Sequence, residues 1–325
     1  MIRTLDRITL KTGDRLRVAA LVPPDRTYGP AIRRFLDHKG QPWLTHIDRA
    51  NRGEVDALQT TYFIGLLRRR IVGNVMIVGD GRAGILGHVF THPDYRRQGV
   101  CMRLMAAAVD AFHRSDALVL TLGTGYDSPP YHIYASFGFR GVEPGNGHMV
   151  LESQPGALDQ YFAAAAVRVA EVRWEHWAGL SLLFMSPAVD ALRSYAYGIH
   201  GPVGFEGGFL RFQVDRERFD ARARVLVTKD GSVVGAALCQ RDDRWPEAVY
   251  ALDLVAHSDF HQHLDRLLDA LPLPGGVKIQ AHMDKPSPAR AAALRAAGFR
   301  HEATLAGQLV RFGRARDVRV YALRT

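Results

Sequence analysis

The chain has 325 residues, which is long enough for two domains of ordinary size. Hydrophobic residues make up 47% of it and charged residues 23%, a globular composition that excludes disordered, collagen-like and low-complexity chains. Lys and Arg number 42 against 33 Asp and Glu, so the formal net charge is +9. This balance favours a polyanionic partner such as nucleic acid, a lipid surface or a phosphorylated cofactor, although arginine-rich coding would also produce it.

Apolar runs and cysteines restrict the class of protein further. No run approaches the roughly 18 apolar residues of a membrane span, and residues 1–11 lack the hydrophobic stretch of a secretory signal. We therefore expect a cytoplasmic protein with no membrane partner. The two cysteines, Cys101 and Cys239, are too few for a disulfide framework or a cysteine zinc site, and no metal is expected.

The first half shows patterns of strands and helices in succession. The predicted elements, in chain order, are helices near Gly29–His38 and Val55–Leu58, strands at Thr61–Arg68, Ile71–Val78 and Gly84–Thr91, a helix from Val100 to Ser115, a strand at Ala117–Leu122, a helix ending at Gly138 and a strand from Phe139. Short turns between the three consecutive strands are typical of an antiparallel meander. We assign Asp127 as the cap of the helix that ends at Gly138.

The second half repeats four short stretches of the first half in the same order. The pairs are Arg17-Val18-Ala19 with Arg168-Val169-Ala170, Ile71-Val72-Gly73 with Val233-Val234-Gly235, His92-Pro93-Asp94-Tyr95 with His257-Ser258-Asp259-Phe260, and Phe137-Gly138-Phe139-Arg140 with Ala297-Gly298-Phe299-Arg300. Each match is weak by itself, but four in order predict one fold used twice. Turn residues at Pro155-Gly156 place the predicted domains at 1–154 and 155–325, with a helical segment near Trp177–Tyr197 in the second.

A basic loop, Arg96-Arg97-Gln98-Gly99-Val100-Cys101, joins the third predicted strand to the periodic helix. The first N–H groups of a helix have no intrahelical acceptor, and the helix dipole is positive there, so the position favours an anion. Gly99 lets the backbone approach that anion, while the arginines, together with Arg103, add charge-assisted hydrogen bonds. The loop therefore predicts a phosphate or pyrophosphate site.

This loop resembles the signature of the GNAT superfamily of N-acetyltransferases, an Arg or Gln, a Gly and a small residue at a strand-to-helix turn. Here Arg96, Gly99 and Cys101 take those positions, with cysteine where the family has Gly or Ala. A second block, Tyr134-Ala135-Ser136-Phe137-Gly138-Phe139, is similar to the Tyr and Gly-Phe near the end of that domain. The resemblance covers roughly residues 10 to 150. It implies a mixed α/β fold, a mostly antiparallel sheet flanked by helices, here duplicated in tandem.

The resemblance also implies the chemistry, with acetyl-CoA as co-substrate and an amine that attacks its thioester directly. The cofactor-binding residues that it implies are Val89, Phe90 and Thr91, whose backbone pairs with the pantetheine arm, and Arg96, Arg97, Gln98, Gly99, Val100, Cys101 and Met102 at the loop and helix start. A backbone N–H on the same strand would stabilise the oxyanion. The acceptor is a small-molecule or peptide primary amine, and aminoglycosides, polyamines, amino acids and peptide N-termini all stay open.

Two side chains are candidates for moving protons. The resemblance gives Tyr134 the role of general acid, which protonates the departing thiolate. His88 lies one residue before the carbonyl-binding stretch and is a candidate general base, since an imidazole suits neutral pH. A hydrogen-bonded strand histidine with no role in proton transfer is the alternative.

The second half lacks both motifs. Its loop position holds His261-Gln262-His263, without glycine or arginine, and Leu294 stands where the first half has Tyr134. We expect a degenerate GNAT-like lobe that supports the first lobe or supplies a homodimer surface. The first half is also similar to the two-lobed enhanced intracellular survival acetyltransferases, whose third domain and terminal carboxylate have no counterpart here.

Two further classes of function remain to be weighed against an active N-terminal lobe. A non-catalytic acyl-CoA-binding or regulatory protein would keep the cofactor loop without turnover. A nucleic-acid binder would use the net charge of +9. However, Arg68-Arg69-Arg70 and Arg96-Arg97 lie on a turn and on the cofactor loop rather than on an aromatic-basic stripe, so no nucleic-acid partner is expected.

Overall fold

A computed structural model describes residues 2–245, 247–284 and 287–325. The chain forms two compact units, one of Met1–Tyr161 with Arg173–Gly179 and one of Phe162–Val172 with Leu180–Thr325. Within the described residues, no helix is long and apolar enough to cross a membrane.

Unit 1 contains a mixed sheet with helices packed against it. Its strands are β1 (Ile2–Thr9), β2 (Arg15–Leu21), β3 (Gln59–Leu67), β4 (Arg70–Gly79), β5 (Ala83–Thr91), β6 (Val119–Gly123), β7 (Arg140–Gly141) and β8 (His148–Glu152). Its helices are α1 (Gly29–Phe35), α2 (Trp43–Arg52), α3 (Val100–His113), α4 (Pro129–Ser136) and α5 (Ala157–Tyr161), and 3-10 turns lie at Asp37–Lys39, Pro93–Tyr95 and Trp174–His176.

The sheet of unit 1 has the order β1-β2-β3-β4-β5-β6-β8-β7 and is antiparallel except for the pair β5 and β6. Those two strands pair in parallel over only three positions, from Ala83 opposite Val119 to Ile85 opposite Thr121. Beyond Ile85, β5 continues to Thr91 with no partner strand on that side. The two central strands therefore diverge and leave one edge of β5 open.

Helix α3 packs on one face of this sheet because its apolar residues recur every three or four positions. Val100, Leu104 and Ala108 are all buried. Gly73 on β4 makes room for them, since a Cβ there would lie 2.7 Å from Val100 Cγ1 and 2.9 Å from Leu104 Cδ1. This close approach fixes the first turn of α3, and with it the basic loop, against the sheet.

Unit 2 repeats the architecture within the described residues. Its strands are β9 (Val167–Glu171), β10 (Leu192–Ser194), β11 (Ile199–His200), β12 (Arg222–Thr228), β13 (Val233–Arg241), β14 (Val249–Ala256), β15 (Lys278–Asp284), β16 (Arg300–Arg311) and β17 (Arg314–Arg324). Its helices are α7 (Glu206–Phe219), α8 (Leu264–Asp269) and α9 (Pro288–Ala296), with a 3-10 segment at Ser258–His263, while α6 (Trp177–Met185) begins in unit 1 and continues into unit 2.

The register of the strands confirms the duplicated fold. The main sheet of unit 2 runs β9-β12-β13-β14-β15-β17-β16, the same order as β2-β3-β4-β5-β6-β8-β7. Val18 lies opposite Gly65 as Val169 lies opposite Leu226, and in both units the register shifts directly after that second residue. A shared irregularity at a matching position indicates one fold used twice, as the sequence repeats predict.

Three predicted elements were wrong in detail. Residues Val55–Leu58 form a turn, because α2 already ends at Gly53, which has the left-handed φ of 75°. The predicted helix Trp177–Tyr197 stops at Met185, since Pro187 cannot continue it. The strand that begins at Phe139 is reduced to the two residues of β7, and the long strand of that region is β8.

Candidate functional site

Strand β5 carries a bulge where its edge opens. Asn74 lies opposite Phe90 and Met76 opposite Gly87, so His88 and Val89 together face one residue of β4. His88 has a φ of 49°, a left-handed value that a side chain adopts only at a cost in free energy. The Asn74 side-chain amide donates a 2.9 Å hydrogen bond to the His88 carbonyl. The bulge thus turns backbone groups of β5 away from the regular ladder at its open edge.

The His88 side chain is buried against helix α2. It is 8% exposed, and its ring meets the Trp43 ring edge-on at 5.8 Å. Burial first, and then the nearby Lys39 charge, lower the pKa of His88 to about 3, so the imidazole is neutral at pH 7. Within the described residues, Nε2 of His88 has no hydrogen-bond partner.

The basic loop leaves its anion-binding groups free. Gly99 caps α3 with a φ of 88°, no side chain caps the helix, and a Cβ on Gly99 would meet no atom within 4 Å. Arg96, Arg97 and Arg103 are exposed, and no carboxylate of the described residues pairs with them. The site thus combines an uncapped helix start, a left-handed glycine and three unpaired cations.

Two side-chain hydrogen bonds to backbone carbonyls fix the conformation of this loop. The Arg96 guanidinium donates through Nε to the Thr91 carbonyl at 3.3 Å, and the Gln98 amide donates to the Asp94 carbonyl at 3.1 Å. Gln98 therefore supports the loop rather than extending freely from it. Burial raises the pKa of the Cys101 thiol, which makes it a packing residue and not a reactive thiolate. Met102 is exposed beside it.

Helix α4 brings Tyr134 into the core on the α3 side of the sheet. Tyr134 is 8% exposed and belongs to the same apolar cluster as Val100, with Val89 and Cys101 packed against it. The apolar cluster that contains Tyr134 thus also includes Val100 and contacts Val89 and Cys101, three of the predicted cofactor residues. The chain turns after α4 through Gly138, whose φ is 90°, and Phe139 follows at the edge of the Tyr134 ring with 6.2 Å between centroids.

The cap of α4 differs from the prediction. Ser128, not Asp127, is the N-cap residue, and its hydroxyl accepts a hydrogen bond from the Tyr131 amide. Asp127 instead has a φ of 54° and pairs with His132 at 3.0 Å, and both side chains are exposed. A left-handed Asp cannot supply the extended backbone that an N-cap residue normally adopts.

A second group of polar residues lines the α2 side of the sheet, and sequence reasoning missed it. His46 and Tyr62 are fully buried, and neither His46 Nδ1, Tyr62 Oη nor Asn74 Oδ1 has a hydrogen-bond partner within the described residues. Burial is the main cause that lowers the pKa of His46 to about 3, with a contribution from His88. The only sequence signal was a histidine on the apolar face of α2.

Phe90 faces the 3-10 turn Asp37–Lys39 on the same side of the sheet. Its ring lies 4.0 Å from the His38 ring and 5.2 Å from the Phe35 ring, centroid to centroid. The side chain of Lys39 is half-buried nearby, and burial lowers its pKa. The predicted residues His88 and Phe90 thus contact aromatic side chains of α1, the 3-10 turn and α2, with Lys39 in the same turn.

The matching strands of unit 2 diverge in the same way but lack the bulge. β14 and β15 pair in parallel only from Val249 opposite Lys278 to Leu252 opposite Ala281. However, β13 and β14 keep one register from Gly235 opposite Ala256 onward, so no extra residue interrupts the ladder.

The gap between these strands in unit 2 is filled by the chain itself. The Tyr195 amide and the Ser194 hydroxyl, in and after β10, donate hydrogen bonds to the Asp253 carboxylate on β14. The Leu192 amide donates to the Asp284 carboxylate on β15 at 2.8 Å. The β10–β11 hairpin therefore bridges the two strands where the corresponding edge of unit 1 is open.

The remaining observations on unit 2 concern the position that matches Tyr134 and the histidines. Leu294 on α9 is fully buried where α4 has Tyr134. The ring of His257 stacks on Phe162 with 4.4 Å between centroids, which gives this histidine a packing role. Within the described residues, no group of His, Cys, Asp and Glu could hold a metal ion.

Comparison with known proteins was made on sequence families and on solved structures. Residues 59–141 match the model of the acetyltransferase (GNAT) domain. No curated protein sequence matches the chain.

Solved structures similar to this chain include acetyltransferases from bacteria. An N-acetyltransferase from Staphylococcus aureus is 17% identical, over 49% of this chain and 99% of that one, with a TM-score of 0.39. A GNAT superfamily phosphinothricin acetyltransferase from Sinorhizobium meliloti, in complex with AcCoA, is 13% identical over 48% and 87%, with a TM-score of 0.38. A spermidine N-acetyltransferase from Vibrio cholerae is 12% identical over 48% and 94%, with a TM-score of 0.35.

Proposed function

Since residues 59–141 are a GNAT acetyltransferase domain, we propose that unit 1 transfers the acetyl group of acetyl-CoA to a primary amine. The observation that carries the proposal is the open edge of β5, which contains the His88–Val89 bulge. This strand leads through the turn Pro93–Tyr95 to the arginine-rich start of α3, which no side chain caps. A pantetheine arm can pair along that edge while the pyrophosphate binds the loop.

Each residue then has a defined task. The backbone of Val89, Phe90 and Thr91 binds the pantetheine, and residues 96–102 bind the pyrophosphate. The amine nitrogen attacks the thioester carbon, the carbon–sulfur bond breaks, and Tyr134 donates its phenolic proton to the thiolate. A backbone N–H at the bulge stabilises the oxyanion.

The role that we propose for His88 differs from the predicted general base, because its side chain is buried. A pKa of about 3 makes the imidazole neutral but too weak a base to hold the proton of the amine at pH 7. We therefore propose that the buried His88 supports the β5 bulge, and that the proton of the amine leaves through solvent.

Unit 2 supports the proposal of one active lobe by contrast. Its β14 lacks the bulge, its hairpin β10–β11 occupies the gap, and Leu294 replaces the acid. We propose that it is a non-catalytic lobe. The predicted domain boundary at 154/155 lies before α5, whereas the first segment of unit 1 extends to Tyr161.

The test is acetyl-CoA binding and CoA release by Gly99→Asp, with Gly81→Asp as the matched control. Both glycines have a left-handed φ, 88° and 92°, and open space around the missing Cβ, so both substitutions carry similar backbone strain. Only Gly99→Asp places a negative charge at the phosphate site. We expect it to weaken acetyl-CoA binding at least about 100-fold by calorimetry, which corresponds to about 2.7 kcal/mol.

Two results would contradict the proposal. Equal effects of the two variants would remove the loop as the cofactor site. Tight acetyl-CoA binding to the wild type without CoA release from any amine class would favour the alternative of a non-catalytic acyl-CoA-binding or regulatory protein.

A further inference from the structure

The β16–β17 hairpin of unit 2 carries a large share of the positive charge of the chain. Between residues 300 and 324 it holds six arginines and only two acidic residues, a net charge of +4 out of the +9 of the whole sequence. Both acidic side chains are already engaged. Glu302 pairs with Lys278, and the Asp317 carboxylate accepts a 2.9 Å hydrogen bond from the Gly307 amide. The hairpin therefore does not neutralise its own charge.

Most of its arginines point to solvent. Four are exposed and form no ion pair within the described residues: Arg300, Arg314, Arg319 and Arg324. The other two are held by the fold, since Arg311 donates to the His200 carbonyl at 3.0 Å and Arg316 lies 3.4 Å from the Asp284 carboxylate. The exposed guanidinium groups are free to bind carboxylates through paired hydrogen bonds.

Two of the exposed arginines line a cavity of about 650 Å³ on the hairpin. The residues around it are Thr304, Arg314, Ala315, Arg316, Asp317 and Arg319. Strand β15 pairs with β17 only from Val318 to Arg324, so β17 continues beyond it toward the tip of the hairpin. Leu309 and Val318 anchor this projecting part, because both are buried in one apolar cluster with Leu192 of β10. The cavity is thus a concave, basic surface on a supported hairpin.

The tip of the hairpin is a two-residue turn with an exposed aromatic side chain. Arg311 lies opposite Arg314, and the residues between them, Phe312 and Gly313, have φ values of 50° and 70°. Such a turn favours Asn-Gly, whereas an aromatic residue adopts a left-handed φ only at a cost in free energy. Phe312 is nonetheless 71% exposed, and Val310 is 65% exposed. An aromatic side chain that suits neither the core nor the turn indicates a contact outside the fold.

We propose that the β16–β17 hairpin docks an extended acidic segment of a partner protein. Arg314 and Arg319 bind carboxylates of that segment, and Phe312 and Val310 pack against its apolar side chains. Arginine and aromatic residues are the side chains most enriched where proteins bind one another. This docking surface belongs to unit 2 and does not depend on the acetyl transfer proposed for unit 1.

The same observations disfavour other occupants. A second copy of the chain would bring another hairpin of net charge +4, and like charges repel. Single-stranded nucleic acid stacks its bases on several aromatic rings. Phe312 is the only exposed Phe, Tyr or Trp of this hairpin, and Arg311 already lies over its ring at 4.9 Å. A concave surface also fits a chain segment better than a flat lipid surface.

The experiment measures the fluorescence anisotropy of a labelled peptide in which four glutamates alternate with four valines. The peptide is titrated with the full chain in excess CoA, so that the basic loop of unit 1 does not contribute. Two matched peptides carry glutamine in place of every glutamate or serine in place of every valine. We expect each replacement to weaken binding at least about tenfold, because one removes the charge and the other the apolar contact.

Variants of the hairpin locate the site. Arg314→Gln with Arg319→Gln removes both exposed cations of the cavity, and we expect at least about tenfold weaker binding. Arg300→Gln with Arg324→Gln is the matched control, since it removes the same charge from exposed positions outside the cavity and changes the affinity less than about threefold. Phe312→Asn weakens binding but keeps or raises the unfolding temperature, because Asn suits the turn.

Several results would overturn the inference. Equal losses in the two double variants would show a response to net charge alone. Unchanged affinity in Phe312→Asn, or no measurable binding of the peptide to the wild type, would remove the hairpin as a docking surface. A loss in Arg96→Gln with Arg97→Gln instead would place the peptide at the basic loop. Tighter binding of an oligothymidylate of equal charge, or of phosphatidylserine vesicles, would replace the acidic segment by nucleic acid or lipid.

Discussion

In unit 1, His88 has two energetically unfavourable features that core packing does not explain. His88 combines a left-handed backbone with a buried nitrogen that has no partner within the described residues. A buried polar group without a hydrogen bond costs about 1–3 kcal/mol, and His46 and Tyr62 add similar groups nearby. In the part of the chain that the structure describes, buried atoms without partners also occur in unit 2, at Ser181 and His282, so it is the added left-handed backbone of His88 that is typical of a functional site.

The Tyr134 hydroxyl is the residue-scale test of the proposed mechanism. Tyr134→Phe keeps the ring in its apolar cluster and removes the proton that the thiolate would receive. We expect kcat to fall about 10²- to 10⁴-fold, with little change in the dissociation constant of acetyl-CoA or in thermal stability. Stopped-flow CoA release and calorimetry measure the two. Unchanged kcat across pH 6–9 would remove Tyr134 from the reaction.

At the level of elements, α3 and β4 together support the basic loop of residues 96–101, the proposed cofactor site. Gly73 allows Val100 and Leu104 to reach the sheet, and these residues begin the helix whose N-terminus closes the loop. The repeat places Gly235 at the matching position of unit 2. There a Cβ would meet Leu226 of its own sheet, at 2.8 Å from Cδ1, instead of a helix.

This difference predicts that two identical substitutions have similar effects on stability but different effects on acetyl-CoA affinity. Gly73→Ala overpacks the start of α3, so we expect a loss of about 1–3 kcal/mol in unfolding free energy and a weaker affinity for acetyl-CoA. Gly235→Ala should destabilise the protein by a similar amount but leave acetyl-CoA affinity unchanged. Urea unfolding and calorimetry distinguish them, and an unaltered affinity in Gly73→Ala would show that α3 tolerates the displacement.

At the scale of the whole molecule, the two copies of the fold differ at the gap between their diverging central strands. Unit 1 keeps the diverging strands open, whereas unit 2 closes the same divergence with its own β10–β11 hairpin. The closure depends on Asp253, a fully buried carboxylate whose pKa burial raises to about 6, although hydrogen bonds from Ser194 and Tyr195 oppose that rise. Closing the gap therefore places an ionisable group in the core.

Asp253 makes the stability of unit 2 depend on pH. Since its pKa is higher in the folded than in the unfolded state, the stability it contributes is complete below about pH 4 and is lost as the pH rises through 6. We expect a loss on the order of 2 kcal/mol between pH 4 and pH 7, which Asp253→Asn abolishes. Hydrogen exchange of the β14 amides, corrected for intrinsic rates, measures it.

The control for this pH effect is Asp243→Asn, which removes a carboxylate that is 90% exposed. It should keep the wild-type pH dependence. A pH dependence that persists in Asp253→Asn would assign it to another buried group of unit 2, such as Glu206, whose pKa burial raises to about 8.

Local patterns in the sequence were sufficient for much of the fold. Strand-like runs separated by short turns predicted β3, β4 and β5. The 3.6-residue period predicted α3, because it follows directly from the face that a helix buries. The repeated stretches predicted the duplication. Val55–Leu58 and Trp177–Tyr197 failed as helices because Gly53 ends α2 before the first segment and Pro187 ends α6 within the second.

The sequence by itself determined the family resemblance, the phosphate loop and the loss of both motifs in the second half, since each depends on residues adjacent in the chain. Only the tertiary structure decided the bulge at His88 and the burial that makes its imidazole neutral. These features depend on strand register and on the exclusion of solvent by residues that are far apart in sequence. For the same reason, the hairpin that fills the gap in unit 2 became visible only in the folded chain.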